Sequence, residues 1–268
     1  KAAVALIRQL DGQVDAIGLG GIDLYLVAGK RRYVIRDALK LARAATRTPV
    51  VDGSGLKNTL ERRVVWWLQS TGTVDFRGKR VLMLSAVDRF GMAEALQECG
   101  SCLVIGDLIF ALQVPVALHS LRTVEILAKV LVPVICRLPF QWLYPTGQRQ
   151  ERVAGGRRYA RFFEEADVVA GDFHFLRRYM PERLDGKVVL TNTVTAEDVE
   201  LLRGRGVSLL VTTTPELGGR SFGTNVIEAA LVAVAGKGSA GLTPGEYEEL
   251  LDRIGFQPRV EILNCPAH

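Results

Sequence analysis

The sequence lacks any hydrophobic run long enough to cross a membrane. A spanning helix needs about 18 consecutive apolar residues, whereas Lys, Arg, Pro or His interrupts every candidate, including the longest, from Leu121 to Leu143. We therefore expect a soluble protein with no membrane contact. A cytoplasmic location is expected because the few cysteines do not form a disulfide framework. Because the first residue is Lys1 and a helical pattern follows at once, we also expect the natural chain to begin upstream, with a strand before this helix.

Histidine and cysteine are scarce, which limits the chemistry that the chain can carry. Four cysteines in 268 residues do not form a disulfide framework. The single C-x-x-C pair, Cys99 and Cys102, has no second pair to complete a zinc site, so no metal is expected. Of the three histidines, only His174 follows a predicted strand at its carboxyl end, and for it a structural role is favoured over proton transfer.

The charge pattern indicates a small ligand rather than a nucleic acid. The formal net charge of +5 arises from scattered short clusters such as Lys30 to Arg32. A nucleic-acid-binding protein usually shows a contiguous basic stripe with exposed aromatic residues. We expect a small anionic molecule as the partner, no nucleic acid, and leave open the association of two copies as a homodimer.

Strand-like and helical hydrophobic patterns alternate along the chain, which is typical of parallel α/β construction. We predict a small N-terminal α/β domain over residues 1–74, for the substrate, and a Rossmann-like, doubly wound parallel sheet over residues 75–237. A C-terminal helix and tail, residues 238–268, should pack back on these domains. The predicted strands of the sheet are Arg80–Ser85, Cys102–Gly106, Val132–Cys136, Ala166–Ala170, Lys187–Asn192 and Ser208–Thr212.

The strongest local motif joins a buried strand to a helix through Asp52, Gly53, Ser54 and Gly55. Backbone N–H groups at a helix start are free to hold an anion, and Lys57 adds a positive charge. Asn58 and Thr59 follow on the same helix as further candidate substrate contacts. The alternative is an ordinary glycine turn in which Asp52 or Ser54 caps the helix.

A second motif lies where dinucleotide-binding folds carry their glycine-rich turn. Ser85, Asp88, Arg89 and Gly91 follow the first predicted strand of the sheet, although only Gly91 matches the glycine fingerprint. Asp107, at the end of the second strand, is placed to take the ribose hydroxyls and so favours NAD over NADP. Alternatively, Asp107 simply ends its strand.

A third motif connects the last predicted strand to a helix and suits a loop that closes on a ligand. It contributes Gly218 and Gly219 as candidate cofactor contacts, and Arg220, Ser221 and Asn225 as candidate substrate contacts. The alternative is a flexible connection. For these motifs to form one site, Gly53 and Gly219 must face the same crevice.

These motifs together resemble a prokaryotic family labelled quinate 5-dehydrogenase. The resemblance rests on four segments, 20–25, 52–62, 85–91 and 218–225, and covers nearly the whole chain. The predicted arrangement, a small α/β domain followed by a nucleotide-binding domain, is also similar to that of shikimate dehydrogenase and methylenetetrahydrofolate dehydrogenase. The sequence motif Asn-Val-Thr-x-Pro-x-Lys, which contains the catalytic lysine of shikimate dehydrogenases, is absent from this chain. Lys57 therefore corresponds to that lysine only by its position.

The leading hypothesis is an NAD-dependent oxidoreductase that acts on a small hydroxylated carboxylate, similar to quinate or shikimate. Lys57 would bind the substrate or relay a proton, with Asp52 or Asp23 as its partner, because alcohol oxidation requires a group that takes the hydroxyl proton. The alternatives are a non-redox binding protein or transferase for a phosphorylated metabolite or nucleotide, and a structural, partner-binding protein.

Overall fold

The computed structural model describes residues 2–28, 31–136, 156–218, 220–236 and 241–265. In this part of the chain the helices are α1 (Ala2–Leu10), α2 (Arg36–Ala42), α3 (Ser54–Ser70), α4 (Phe90–Glu98), α5 (Leu121–Ile135), α6 (Gly156–Glu164), α7 (Phe173–Tyr179), α8 (Ala196–Gly204), α9 (Thr224–Ala235) and α10 (Pro244–Arg253). The strands are β1 (Ile17–Gly18), β2 (Tyr25–Ala28), β3 (Arg31–Val34), β4 (Val50–Val51), β5 (Arg80–Met83), β6 (Cys102–Ile105), β7 (Val168–Ala170), β8 (Val188–Thr191), β9 (Leu209–Thr212), β10 (Glu216–Leu217), β11 (Arg220–Ser221) and β12 (Arg259–Ile262).

Six strands form the central sheet, in the order β12-β9-β8-β7-β5-β6. Five of them run parallel, and β12 pairs antiparallel with β9 at one edge. The strand order reverses between β6, β5 and β7, and in such doubly wound sheets ligands bind outside the carboxyl ends of the strands at that point. The predicted fold class is confirmed: this is an α/β protein with a mostly parallel sheet flanked by helices.

Alternating side chains of the strands fill two hydrophobic cores, one on each face of the sheet. In β5, Val81 and Met83 point to the core formed with α3, α4, α9 and α10. Leu82 and the following Leu84 point to the core formed with α6, α7 and α8. Burial of one such side chain contributes about 1.5–3 kcal/mol, so that both faces require a helical cover.

The predicted strand Val132–Cys136 is wrong, because this segment is helical through Ile135, in α5. Buried residues recur at helical spacing through Leu121, Val124, Ala128 and Val132, so one helix face serves the whole stretch. A short apolar run does not by itself distinguish a buried strand from a helix. The sixth strand of the sheet is instead β12, which the tail supplies.

The N-terminal part contains two small sheets. Strands β1 and β4 pair in parallel, Ile17 with Val50 and Gly18 with Val51, and β2 and β3 pair antiparallel. The long helix α3 follows β4 and buries Leu56, Leu60 and Val64 in one of the sheet's cores. Helix α3 therefore connects the N-terminal part to the sheet by direct packing.

The C-terminal helix α10 packs against α3. A capping box between Thr243 and Glu246 starts α10, and Arg63 of α3 donates to Glu248 of α10 at 3.0 Å. No described helix is long and apolar enough to cross a membrane.

Asp11 connects the end of α1 to the segment before β4. Its carboxylate accepts hydrogen bonds from the backbone N–H groups of Thr46, Arg47 and Thr48, at 2.8–2.9 Å, and from the Thr46 hydroxyl at 3.0 Å. The bonds from Thr46 and Thr48 are the main reason why the pKa of Asp11 is lowered. The ionised side chain thus stabilises the folded N-terminal part.

We expect Asp11→Asn to lower the melting temperature at neutral pH. Because the folded-state pKa is depressed, the stabilisation by Asp11 is present above the ordinary aspartate pKa, about 3.9, and is lost as the pH falls through the folded value. The difference between variant and wild type should therefore shrink below about pH 4. Thermal unfolding followed by circular dichroism across this range measures it, with exposed Asp15→Asn as the control. A pH-independent difference would contradict the assignment.

Candidate functional site

A narrow polar cleft lies at the carboxyl ends of the sheet strands, where the start of α3 and strand β2 meet the turn after β5. It is lined by Asp23, Tyr25, Ser54, Lys57, Asn58, Glu61, Asp88, Arg89, Phe90 and Gly91. Seven of these ten residues belong to the sites that the sequence predicted, drawn from both the substrate motif and the cofactor motif. The two motifs therefore face one crevice.

Lys57 and Asp88 form an ion pair across the cleft, with 2.6 Å between Lys57 Nζ and Asp88 Oδ1. Burial acts to lower the pKa of Lys57, but the attraction of Asp88, assisted by Asp23 and Glu61, raises it above the ordinary value. Burial acts to raise the pKa of Asp88, yet Lys57 and Arg89 lower it. Both groups are thus charged at neutral pH.

The ion-pair partner of Lys57 is Asp88, which the sequence had placed among the cofactor contacts. Asp23 lies close enough to act on the charge of Lys57, whereas Asp52 directs its carboxylate elsewhere. Asp52 Oδ2 accepts from the N–H of Leu24 at 2.5 Å, and Oδ1 accepts from the N–H and hydroxyl of Ser54 at 3.1 and 2.6 Å. Asp52 thus bonds Ser54, the first residue of α3, and Leu24, the residue before β2, which corrects its predicted pairing with Lys57.

Arg89 is the buried centre of the charge network. Its guanidinium donates to Glu61 Oε1 and to Asp172 Oδ2 at 3.1 Å, and its Nε lies 3.5 Å from Asp88 Oδ2. The side chain is 4% exposed. Burial acts to lower the pKa of Arg89, but the carboxylates of Glu61, Asp88 and Asp172 raise it, so that the residue is a permanent cation.

Asp172 is itself held by the ends of two neighbouring strands. The Asn192 amide, just after β8, donates to Asp172 Oδ2 at 2.8 Å. The other oxygen of Asp172 accepts from the N–H of His174 at 2.8 Å and so caps α7. His174 contributes its backbone here, and its side chain does not line the cleft.

The glycine turn before α3 packs against the start of α9. Gly53 has a φ of +94°, and a Cβ there would lie 2.8 Å from the backbone N of Asn225, so only glycine fits. Its N–H donates to Glu228 Oε2 at 2.5 Å, and Glu228 Oε1 accepts from the Tyr247 hydroxyl at 2.7 Å. Close packing of this carboxylate also requires Gly55. The predicted anion position at Gly53 therefore contains the chain's own Glu228.

Asp107 bonds the turn that was expected to hold a dinucleotide pyrophosphate. Its carboxylate accepts from the backbone N–H groups of Ala86 at 2.8 Å and Val87 at 3.0 Å, and from the Ser85 hydroxyl at 3.0 Å. Burial raises the pKa of Asp107, although the two amides act to lower it. Ser85 and Asp107 thus form one closed cluster with the turn, instead of presenting a free carboxylate to a ribose.

The remaining predicted residues lie in three settings. Thr59 is buried, and Gly91 lies against Asn58 so closely that a Cβ would overlap it. Ser221 is buried with its hydroxyl 3.4 Å from Thr212 Oγ1, and Gly218 is exposed in a turn with φ of +62°. Gly219 and the Arg220 side chain lie outside the described residues.

Sequence reasoning missed Glu61, Asp172, Asn192 and Glu228. Glu61 lies four residues after Lys57, on the same helix face, and this spacing was a usable signal. Asp172 and Asn192 each follow a buried strand by one or two residues, the position where sheet-edge sites form. Glu228 carried no signal, because its partner Gly53 is 175 residues away in sequence. Among the described residues no group of three or more His, Cys, Asp or Glu side chains could hold a metal ion.

The fold and the cleft define an α/β protein with a charged crevice at the carboxyl edge of its sheet. Residues 55–263 match the family described as "Domain of unknown function (DUF8754)", and the chain belongs to this family. Residues 1–52 match "Domain of unknown function (DUF8753)". The two matches meet at the Gly53 turn. No curated protein matches the sequence.

Solved structures with partial similarity include two binding proteins and a putative enzyme. A substrate-binding protein of a sugar ABC transport system from Bordetella parapertussis is 14% identical, with a TM-score of 0.34, and the match covers 83% of this chain and 58% of that one. A putative malic enzyme (malate oxidoreductase) is 15% identical, with a TM-score of 0.36 and coverage of 88% and 57%. A galactofuranose binding protein is 15% identical, with a TM-score of 0.34 and coverage of 93% and 82%. The chain thus spans less than two thirds of the first two proteins, and similarity of this extent does not indicate a shared function.

We expect Arg89→Met to destabilise the fold by about 3–5 kcal/mol, because it leaves the buried carboxylate of Glu61 without its partner. Urea unfolding measures the change. The double variant Glu61→Met/Arg89→Met should lose less than Arg89→Met alone, since no uncompensated charge is then buried in the pair. Arg77→Met, at an exposed Arg-Asp pair, is the matched control and should have little effect. Equal effects of Arg89→Met and Arg77→Met would contradict the role of Arg89.

Proposed function

We propose that the cleft binds a small hydroxylated carboxylate, similar to quinate or shikimate, and that the protein is an oxidoreductase that uses NAD. The observation that carries this proposal is the Lys57–Asp88 pair in a partly buried crevice at the carboxyl edge of the sheet. Oxidation or reduction at a CH–OH carbon requires one group that moves the hydroxyl proton while the cofactor moves the hydride. Lys57 and Asp88 are the pair of the cleft best placed for that proton.

The cleft's polar lining favours a ligand rich in hydroxyl groups. Carboxylates of Asp23 and Asp88 accept hydrogen bonds from hydroxyl groups, while Ser54 and Asn58 both donate and accept. Two basic and three acidic side chains line the cleft. An acid group of the ligand would therefore lie beside Lys57, which is the less buried of the two basic residues.

The proposed proton transfer runs through Lys57. Because its pKa is raised, Lys57 is an ammonium in the cleft, and it would donate its proton to the oxygen of a carbonyl as hydride arrives at the carbon. In the reverse direction the neutral amine of Lys57 would take the hydroxyl proton, and Asp88 holds the Lys57 side chain in place.

We expect Lys57→Met to lower the rate constant kcat by roughly 10²–10⁴-fold, the usual contribution of a positioned proton donor. Lys57→Arg is the matched control: it keeps the positive charge and ligand affinity but holds its proton too firmly to donate it. Consumption of reduced nicotinamide with 3-dehydroquinate measures kcat, and calorimetry measures affinity. Full activity of Lys57→Arg would contradict proton donation by Lys57.

A second candidate is a non-redox binding protein or transferase that uses the same cleft for a phosphorylated metabolite or nucleotide. One observation favours it: Asp107 already bonds the two amides, of Ala86 and Val87, that a dinucleotide pyrophosphate would need. A bound NAD would have to displace a carboxylate held by three hydrogen bonds. The second candidate needs no such displacement.

Calorimetric titration with NAD and NADP separates the two candidates. Binding of NAD by the wild type supports the oxidoreductase, and no heat with either dinucleotide would leave only the non-redox candidate.

The variant Asp107→Ala tests the role of Asp107 by the direction in which the affinity for NAD changes. If Asp107 holds the ribose, the variant binds NAD more weakly. If Asp107 fills the phosphate position, as its hydrogen bonds indicate, the variant should bind NAD or pyrophosphate more tightly, by at least about tenfold. Asp167→Ala, at the opposite edge of the sheet, is the control.

A further inference from the structure

Glu61 is the most deeply buried carboxylate of the cleft, and one of its oxygens is unused. Its side chain is 2% exposed. Oε1 accepts a hydrogen bond from Arg89, whereas Oε2 is buried and has no hydrogen-bond partner among the described residues. A buried carboxylate oxygen without a donor loses its hydration and gains nothing in return, so such a group in a native protein calls for an explanation.

The position of Glu61 makes a ligand the natural donor. Glu61 follows Asn58 by three residues and Lys57 by four, so it projects from the same face of α3 as they do, and all three line the cleft. Lys57 Nζ is engaged by Asp88 at 2.6 Å, and the guanidinium of Arg89 is shared among three carboxylates. The Lys57 ammonium and the two terminal nitrogens of Arg89 are thus directed to other acceptors than Glu61 Oε2, whereas Arg89 Nε has no hydrogen-bond partner among the described residues.

The chemistry of Oε2 limits what it can receive. Burial raises the pKa of Glu61, and the charges of Arg89 and Lys57 act in the opposite direction. As a carboxylate beside Arg89, Glu61 only accepts hydrogen bonds, so the ligand group must carry an O–H or N–H. The cleft already contains both signs of charge, and a neutral hydroxyl satisfies Oε2 without adding another charge to a buried site. Arg89 fixes the orientation of the carboxylate, since it holds the opposite oxygen.

We propose that Glu61 Oε2 accepts a hydrogen bond from one hydroxyl group of the bound metabolite and that Glu61 thereby determines specificity for a hydroxyl at that position. This proposal rests on the proposed binding of a hydroxylated carboxylate. A site built around such an acceptor rejects an analogue that lacks the hydroxyl, because the buried oxygen is then left unpaired. Glu61 is thus a specificity-determining residue, distinct from the proton-handling Lys57 and Asp88.

The test combines two variants of Glu61 with a series of ligands. Calorimetry measures the Kd of quinate, shikimate and the mono-deoxy analogues of quinate for the wild type, Glu61→Gln and Glu61→Asp. Gln keeps the size of the side chain but replaces the charged acceptor, while Asp keeps the charge and withdraws it by one methylene. Glu248→Gln is the matched control. Like Glu61, Glu248 is paired with an arginine, in this case Arg63, and the pair lies outside the cleft.

We expect Glu61→Gln to bind quinate at least about tenfold more weakly, since a charge-assisted hydrogen bond is replaced by a neutral one. One deoxy analogue should bind the wild type and Glu61→Gln equally, and this analogue identifies the hydroxyl that Glu61 receives. Glu248→Gln should bind every ligand as the wild type does. If Glu61→Gln does not fold, the same comparison is made with Glu61→Asp.

Two results would overturn the assignment of Glu61 alone: unchanged quinate affinity in both variants, or an equal loss for quinate and for every deoxy analogue. The second result would indicate a general distortion of the cleft. Absence of binding of all these ligands to the wild type would instead overturn the proposed function, and the assignment of Glu61 with it.

Discussion

The buried guanidinium of Arg89 is the interaction on which the cleft depends. It lies at the start of α4 and joins Glu61 of α3 to Asp172 at the end of β7, so one side chain connects the N-terminal part to the carboxyl edge of the sheet. The carboxylates of Glu61 and Asp172 need this cation to compensate their charge, because a buried charge without a partner is strongly destabilising. The charges of the crevice are therefore interdependent, and Lys57 and Asp88 acquire their states within that network.

Side-chain carboxylates of the protein occupy the positions that the sequence motifs suggested for an anionic ligand. The amides before α3 receive Asp52 and Glu228, and the turn after β5 receives Asp107. Helix starts and glycine turns attract negative charge whether it comes from a ligand or from the protein. The attraction predicted from these motifs is thus real, and in three cases an internal carboxylate satisfies it. The cleft lies between these turns and is lined by Lys57 and Glu61.

The accuracy of the sequence predictions followed the range of the interactions involved. The strands β5 to β9 and most helices were predictable, because apolar periodicity is a local property. The segment around Val132 was misassigned because a short apolar run fits both a strand and a helix. Only the tertiary structure shows that Val132 continues the buried face of α5. The antiparallel strand β12 was missed because its role comes from pairing with β9, about 50 residues earlier in the chain.

The sequence by itself determined the fold class and the nature of the crevice: strand and helix periods, glycine turns, and the residues Lys57, Asp88 and Arg89 at the ends of their elements. Only the tertiary structure decided which charges pair. Lys57 pairs with Asp88 rather than with Asp52, and Asp107 accepts hydrogen bonds from the turn that begins at Ser85. The physical reason is that local patterns specify backbone conformation, whereas the partner of a buried charge depends on which distant carboxylate the folded chain brings within hydrogen-bond distance.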